Sequence, residues 1–256
     1  MSRAAPFASE ELDRHGFLGE RIAVWQPRGG YRSGADTVLL AAACPAKAGQ
    51  RVLDLGCGAG VATFCLATRI GGLRLHGLDV QPSYADLARR NAAALGVAID
   101  VHEGDVAVLP SSLREMSFDH VIANPPYHDE CASSPTDDPG KDRAFRADAP
   151  LAVWVDAALR RLTPGGWLTL VHRTDRLPIL LAALEGRAGA IAIKPLAPRT
   201  GKPADRLILR ARKGAASPLV LHAPFIMHDG ARHERDGDPL SAAAERVLRE
   251  VAPMDF

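Results

Sequence analysis

The spacing of hydrophobic and polar positions alternates between two textures along the chain. Short leucine-rich or β-branched runs give way to alanine-rich stretches in which apolar residues recur every three or four positions. That alternation predicts repeated β-α units wound about a mostly parallel sheet. Arg51 to Leu55 reads as a buried strand and Val61 to Ile70 as the helix after it. Leu73 to Val80 predicts the second strand. Pro82 then suits the first turn of a helix that runs through Tyr84, Leu87, Ala88 and Asn91 and stops at Gly96. Strands are expected at Ala98 to His102 and at Asp119 to Ala123, followed by a helix from Pro150 to Leu162 and a turn at Thr163 to Gly166. Strand Trp167 to Val171, helix Arg176 to Glu185, and strands Ala190 to Pro195 and Arg206 to Ala211 complete the pattern, one of the last two antiparallel. Near the end, Asp238-Pro239 is a fitting cap and first turn for a helix from Leu240 to Val251. The expected fold is therefore α/β and Rossmann-like, with a mostly parallel seven-stranded sheet, helices on both faces and an antiparallel edge strand. Residues 1–45 are expected to pack over a pocket as an N-terminal extension; residues 46–256 form the main domain with a helical tail, all in one compact unit. Two stretches read as irregular loops near a substrate, His128 to Asp142 and Ala197 to Ala204.

Composition narrows the class. The 256 residues are 47% hydrophobic and 24% charged, the ordinary balance of a soluble domain. No apolar run reaches the roughly 18 residues of a membrane span. The polar, acidic opening from Met1 to Glu20 does not read as a secretory signal, so the cytoplasm is expected. Cys44, Cys57, Cys65 and Cys131 show no Cys-x-x-Cys spacing and the nine histidines no ligand pattern, so reduced thiols and no metal are expected. His128 and Cys131, three apart, receive no metal either. The net charge of +1 hides an asymmetry: Arg187 to Lys213 holds eight basic residues against the single acid Asp205. Such a segment is what a polyanion-binding face needs, although a solvated surface also carries many basic side chains. The pattern leaves the oligomeric state open, with a monomer as the default.

The chemistry is concentrated at the ends of the predicted strands. Asp54-Leu55-Gly56-Cys57-Gly58-Ala59-Gly60 joins a strand to a helix, and its three glycines let a ligand approach the backbone. A dinucleotide fingerprint would need glycine or alanine where Val61 stands. Asp79, at the end of the second strand, can accept both hydroxyls of a ribose. Asp105 ends the third strand in a turn, where an acid serves as a ligand contact or as a cap. The most specific signal is Asn124-Pro125-Pro126-Tyr127 at the end of the fourth strand, the sheet edge where open α/β folds bind ligands. An amine on an aromatic ring is a poor nucleophile, because its lone pair is delocalised. Accepting its two N–H groups through the Asn124 side-chain oxygen and the Pro125 carbonyl returns electron density to nitrogen. The prolines stiffen the loop, and Tyr127 offers a face for a planar group.

The glycine spacing after an acid resembles the first motif of the class I methyltransferases. Together with the tetrapeptide, Gln26-Pro27, Gly30, Arg32, Asp36, Leu39-Leu40, Arg173, Asp175, Pro198-Arg199, Gly201-Lys202-Pro203-Ala204 and Arg206 resemble the bacterial tRNA adenine-N6 methyltransferase family, from about Phe17 to His228. Its members modify the adenosine just 3′ of the anticodon in a valine tRNA. The resemblance implies S-adenosylmethionine held by Asp54, Gly56, Gly58, Gly60, Asp79, Asp105 and Asn124. It implies catalysis by Asn124, Pro125 and Tyr127, closure of the acceptor pocket by Arg32 and Asp36, and an RNA, tRNA in particular, held by Lys194, Arg199, Lys202 and Arg206. The acidic insert Asp129 to Asp142 departs from the family. The tetrapeptide also serves methylation of glutamine in release factors and of the guanine amino group in ribosomal RNA, and a catalytically silent RNA-binding module is the non-enzyme alternative.

Overall fold

The computed structural model describes residues 5–127, 150–230 and 239–256, so the insert Asp129–Asp142, Cys131 and Asp238 lie outside the described residues. The first strand of the main sheet explains the architecture. Arg51–Leu55 (β3) is buried from its second residue onward on both sides, as befits a strand covered by helices on each face. Its parallel neighbours are Arg74–Asp79 (β4) and Phe118–Ala123 (β6). Ile99–Glu103 (β5) continues beyond β4, and Leu162–Arg173 (β7) continues beyond β6. The chain thus leaves β3 in one direction and later returns to build in the other, which opens a crevice beyond the ends of β3 and β6. Beyond β7 the order runs Arg206–Lys213 (β9) and then Ala188–Ala197 (β8), so β9 is inserted between β7 and β8 and is antiparallel to both. These seven strands are extended by two-residue strands at Val220–Leu221 (β10) and Phe225–Ile226 (β11), both on β8.

Helices cover both faces. On one lie Ala35–Ala43 (α1), Val61–Arg69 (α2), Pro82–Leu95 (α3) and Ala242–Arg249 (α7). On the other lie the short Ser111–Arg114 (α4), Leu151–Arg161 (α5) and Leu177–Leu184 (α6). Helix α3 starts at Pro82 and ends at Gly96 in the left-handed region, as its sequence predicts. The predicted turn at Thr163 to Gly166 is a bulge inside β7, where the register against β6 jumps from Phe118–Leu162 to His120–Trp167. The last helix is shorter than expected, and its cap is Ser241, whose hydroxyl accepts from the Ala244 amide at 3.1 Å.

The N-terminal segment has structure that periodicity did not reveal. Leu12–Phe17 (β1) and Ile22–Pro27 (β2) form a separate antiparallel hairpin. Helix α1 is buried from Thr37 to Ala43 in the core. Asn91, almost fully buried on α3, pins the hairpin: its amide oxygen accepts from Trp25 N at 2.9 Å, and its nitrogen donates to Trp25 O at 2.9 Å and Ala59 O at 3.0 Å. One side chain therefore ties the hairpin to the glycine loop.

Candidate active site

The crevice at the strand ends holds a cavity of about 370 Å³. It is within the range of small-molecule sites. One wall is the glycine loop after β3, which is docked on β4 by Gly56 N and Cys57 N donating to Leu78 O at 2.8 and 2.9 Å. Gly56 and Gly58 line the cavity with positive φ, and a Cβ at Gly58 would meet only the Tyr31 ring, at 3.9 Å. A side chain there would project into the space a ligand needs. Gly60 serves differently, as the left-handed cap of α2, where a Cβ would come within 2.4 Å of Phe64.

The carboxylates divide in the same way. Asp79 lines the cavity, and its two oxygens accept from Gly58 N at 2.8 Å and Gln81 N at 2.9 Å. Each oxygen keeps a second lone pair for a ligand hydroxyl. Burial pushes the Asp79 pKa up to about 6. Asp54, expected as a cofactor ligand, lies behind the wall: it is buried and accepts from the Thr63 hydroxyl at 2.8 Å. Burial, opposed by Thr63 and aided by the charge of Asp79, raises its pKa to about 7. It braces the loop from beneath. Asp105 faces the cavity and caps its own turn through Ala107 N at 2.8 Å, which leaves one carboxylate oxygen outside that bond.

The opposite wall joins residues far apart in sequence. Asn124 Nδ2 donates to the Tyr31 hydroxyl at 3.0 Å, and no bond among the described residues engages its Oδ1. The Tyr127 hydroxyl donates to Asp36 at 3.1 Å while its ring meets His172 edge-on at 5.1 Å. His172 Nε2 lies 3.3 Å from the Pro126 carbonyl. Burial first, then the Pro126 bond and the charges of Arg176, Asp175 and Arg173, leave its pKa at about 4, so the ring is neutral and Nε2–H can donate. Asp36 receives two bonds from Arg206 Nη1, at 2.7 and 2.8 Å. Arg32 and Asp36, expected together at the acceptor pocket, both line the cavity but do not pair with each other: Arg206 takes Asp36, and Arg32 reaches His15 at 2.9 Å.

The basic segment does not form the row of phosphate ligands that its count suggests. Arg199 is buried and donates to the Asp229 carbonyl. Lys194 lies over the Phe256 ring at 5.8 Å. Arg187 pairs with Asp156, Arg210 stacks on Phe256, Arg212 holds Gly165 O and Lys213 holds Leu162 O. Lys202 remains exposed on the loop after β8. Strand periodicity cannot reveal how an arginine is spent, since its stem packs while its head finds a carbonyl.

Sequence reasoning missed Tyr31, Tyr84, Val80, Gln81 and Trp154, all on the cavity wall. Val80 is 44% exposed beside Asp79, an apolar surface next to that carboxylate. The adjacency of Tyr31 to Arg32 was the available signal for one of them. Trp154 carries none, because it reads as an ordinary apolar residue of α5. Among the described residues no helix is long and apolar enough to cross a membrane, and no cluster of three His, Cys, Asp or Glu could hold a metal.

Comparison with known proteins accords with this geometry. The methyltransferase small domain family matches residues 32–184. A tRNA1(Val) (adenine(37)-N6)-methyltransferase of Dickeya chrysanthemi is 30% identical over 212 residues, covering 80% of this chain and 81% of that protein. One of Porphyromonas gingivalis is 33% identical over 170 residues, 63% of this chain and 66% of the relative. Among solved structures, a predicted O-methyltransferase of Agrobacterium tumefaciens superposes with a TM-score of 0.70 at 27% identity, over 86% of this chain and 98% of that one. The 16S rRNA N2 G1207 methyltransferase of Thermus thermophilus shares the fold, with a TM-score of 0.56 at 23% identity over 79% of this chain and 50% of its own. The open glycine at 58, the buried acceptor at Asp79 and the apolar wall at Val80 fit the amino-acid end, ribose and base of S-adenosylmethionine. The chain belongs to the methyltransferase small domain family, as an S-adenosylmethionine-dependent methyltransferase related over most of its length to the tRNA1(Val) (adenine(37)-N6)-methyltransferases.

Proposed function

We infer that the protein methylates the exocyclic nitrogen of an adenine in tRNA. The observation that carries this reading is Asn124 at the end of β6, in the same cavity as Gly58 and Asp79, with its amide nitrogen bonded to Tyr31 and its oxygen outside that bond. S-adenosylmethionine supplies an electrophilic methyl group on a sulfonium. Asn124 Oδ1 and the Pro125 carbonyl accept the two N–H groups of the adenine amine and so raise its nucleophilicity. Tyr127, braced by Asp36 and His172, presents a fixed ring face to the base. A planar amine becomes acidic once methylated, so no strong base is needed beside it. A hydroxyl acceptor would need one. Asp36, the carboxylate bonded to Tyr127, is already held by two bonds from Arg206. The cofactor end is held by the backbone at Gly56 and Gly58, by Asp79 at the ribose and by Asp105 at the base, with Gly60 and Asp54 supporting the loop. Arg32 at the rim and the exposed Lys202 hold the RNA backbone, and Arg206 shapes the pocket through Asp36. The cytoplasm is the compartment this reading proposes.

The name of the Dickeya relative points the same way. Total tRNA, ribosomal RNA and a release factor are incubated separately with the protein and cofactor labelled in its methyl group, then digested and analysed by mass spectrometry. N6-methyladenosine in tRNA is the expected product. Label confined to guanine of ribosomal RNA or to glutamine of the release factor would overturn the reading.

A further inference from the structure

We propose that Tyr31 is the positioning residue for the acceptor nitrogen: its hydroxyl accepts from Asn124 Nδ2 and thereby turns Oδ1 of the same amide toward the amine to be methylated. This rests on the reading of Asn124 as the residue that accepts from that amine. A primary amide has two nearly isosteric ends, and the two orientations about χ2 are of opposite use here. With oxygen inward, the side chain accepts an N–H from the acceptor. With nitrogen inward, two donors face each other and the acceptor is repelled. Some feature of the pocket must therefore choose between them.

The Tyr31 hydroxyl lies 3.0 Å from Asn124 Nδ2, although the two residues are 93 positions apart. It is the one side-chain group bonded to that amide among the described residues. The tyrosine is itself held from two sides. Tyr84 donates its hydroxyl to the Tyr31 carbonyl at 2.9 Å. Gly30, directly before it, has φ of 94°, and a Cβ there would lie 3.1 Å from the Tyr84 hydroxyl. The chain is thus turned at Gly30 in a way that another residue would strain. On its other side the Tyr31 ring lies beside Gly58, where an added Cβ would meet it at 3.9 Å. One side chain therefore stands beside the glycine loop with its ring edge and binds Asn124 with its hydroxyl. Although the residue as a whole is 44% exposed, desolvation around its hydroxyl raises the Tyr31 pKa above the ordinary tyrosine value, so the group stays a neutral hydroxyl across the working pH range.

The same segment sets the other side chain of the tetrapeptide. Asp36, five residues on, receives the Tyr127 hydroxyl and is fixed by Arg206. Residues 31 to 36 thus form a template for the tetrapeptide at both its ends, Tyr31 engaging the nitrogen end of the Asn124 amide and Asp36 the Tyr127 hydroxyl.

Tyr31→Phe keeps the ring and deletes the acceptor. With S-adenosylmethionine and total tRNA, kcat should fall about 3- to 10-fold, the worth of one neutral hydrogen bond. The KM for tRNA and the affinity for S-adenosylhomocysteine by calorimetry should stay within about twofold of wild type. Tyr31→Ala should lose cofactor affinity as well, because it removes the ring beside Gly58. A second readout needs no acceptor. In a nitrogen-15 spectrum of the protein with S-adenosylhomocysteine, the side-chain amide assigned to Asn124 by its absence in Asn124→Ala should show one proton shifted downfield, and that shift should vanish in Tyr31→Phe. Unchanged kcat in Tyr31→Phe, or an Asn124 amide spectrum indifferent to that change, would overturn the proposal. Wild-type enzyme that labels a release factor in place of tRNA would overturn the RNA acceptor alone; the kinetic comparison is then made on that protein, and the spectrum decides in either case.

Discussion

The two walls of the cavity are built on opposite plans. The cofactor wall comes from one contiguous stretch, residues 56 to 105, and much of it is backbone: two glycines, strand ends, and loop amides docked on the Leu78 carbonyl. The acceptor wall is assembled from side chains 91, 93 and 170 residues apart, joined by Tyr127–Asp36, Asn124–Tyr31 and Arg206–Asp36 bonds. A backbone wall has few ways to change without unfolding the loop. A side-chain wall can be rewired one residue at a time. Substitutions should sort accordingly, with cofactor-wall variants changing affinity for S-adenosylhomocysteine and acceptor-wall variants changing turnover.

The sharpest test of that division is Asn124→Ala. Loss of one preorganised hydrogen-bonding group at the reacting atom should lower kcat on the order of 10²- to 10³-fold. Calorimetric affinity for S-adenosylhomocysteine should stay within a few-fold; an equal collapse of both would erase the distinction between the walls. Tyr127→Ala should also be severely impaired, whereas Tyr127→Phe keeps the ring, loses only the bond to Asp36, and should retain appreciable turnover.

Next in size is Asp79→Ala, with a loss of about 1.5–3 kcal/mol in cofactor affinity from removing a charged acceptor. Because burial holds this carboxyl near pKa 6, its protonated fraction grows as the pH falls through 6. Cofactor affinity should therefore drop about tenfold between pH 7 and pH 5, the ionised form being the better acceptor for ribose hydroxyls. The slope should flatten in Asp79→Asn. Titration calorimetry at three pH values reads both, and a pH-independent affinity in wild type would remove Asp79 from the ribose.

Arg206→Ala tests the lock across the acceptor wall. Asp36 has a side chain only 14% exposed, and Arg206 is 39% exposed, so solvent weakens their pairing. Urea denaturation should report a loss of about 1–2 kcal/mol, with a several-fold fall in kcat as Tyr127 loosens. Stability and turnover both unchanged would make the pairing incidental. The smallest effect is expected for Lys202→Ala. The slope of log RNA affinity against log salt should become shallower by about 0.7–0.9, with cofactor affinity untouched. A slope identical to wild type would take Lys202 out of contact with phosphate.

How much of this was legible in sequence follows the same division. The parallel strands, the glycine loop, Asp79 and the position of Asn124 could be read because each is a local pattern: a buried run, a glycine spacing, an acid or an amide at a strand's end. The hairpin of β1 and β2 was not seen, because the polar run Asp13 to Gly16 and the continuous apolar run Ile22 to Trp25 show no hydrophobic–polar alternation, although β2 buries every second residue from Ile22 to Gln26. Asp54 was read as a ligand because it opens the motif, yet the turn at Gly56 points the chain away, and Thr63 takes its carboxylate. The basic run from Arg187 to Lys213 misled for a related reason. Two strands that pair with one another bring many arginines near carbonyls and rings, and those partners fix the head groups in place without neutralising them. Tyr31 and Trp154 became visible only when the topology carried them to the glycine loop.

The insertion of β9 between β7 and β8 has a consequence for the nascent chain. When β7 and β8 have left the ribosome they share no ladder, and β7 presents an open edge until residues 206–213 arrive. The contiguous β8–β9 hairpin can zip locally and then dock on β7 in one step, since local pairing carries the smaller loop-closure cost. Arg206 is the first residue of β9. A chain stalled before that docking has already synthesised the glycine loop and Asp79, but its Asp36 lacks the guanidinium that holds it. Synthesis from one end to the other thus completes the methyl-donor half of this enzyme before the half that selects what is methylated.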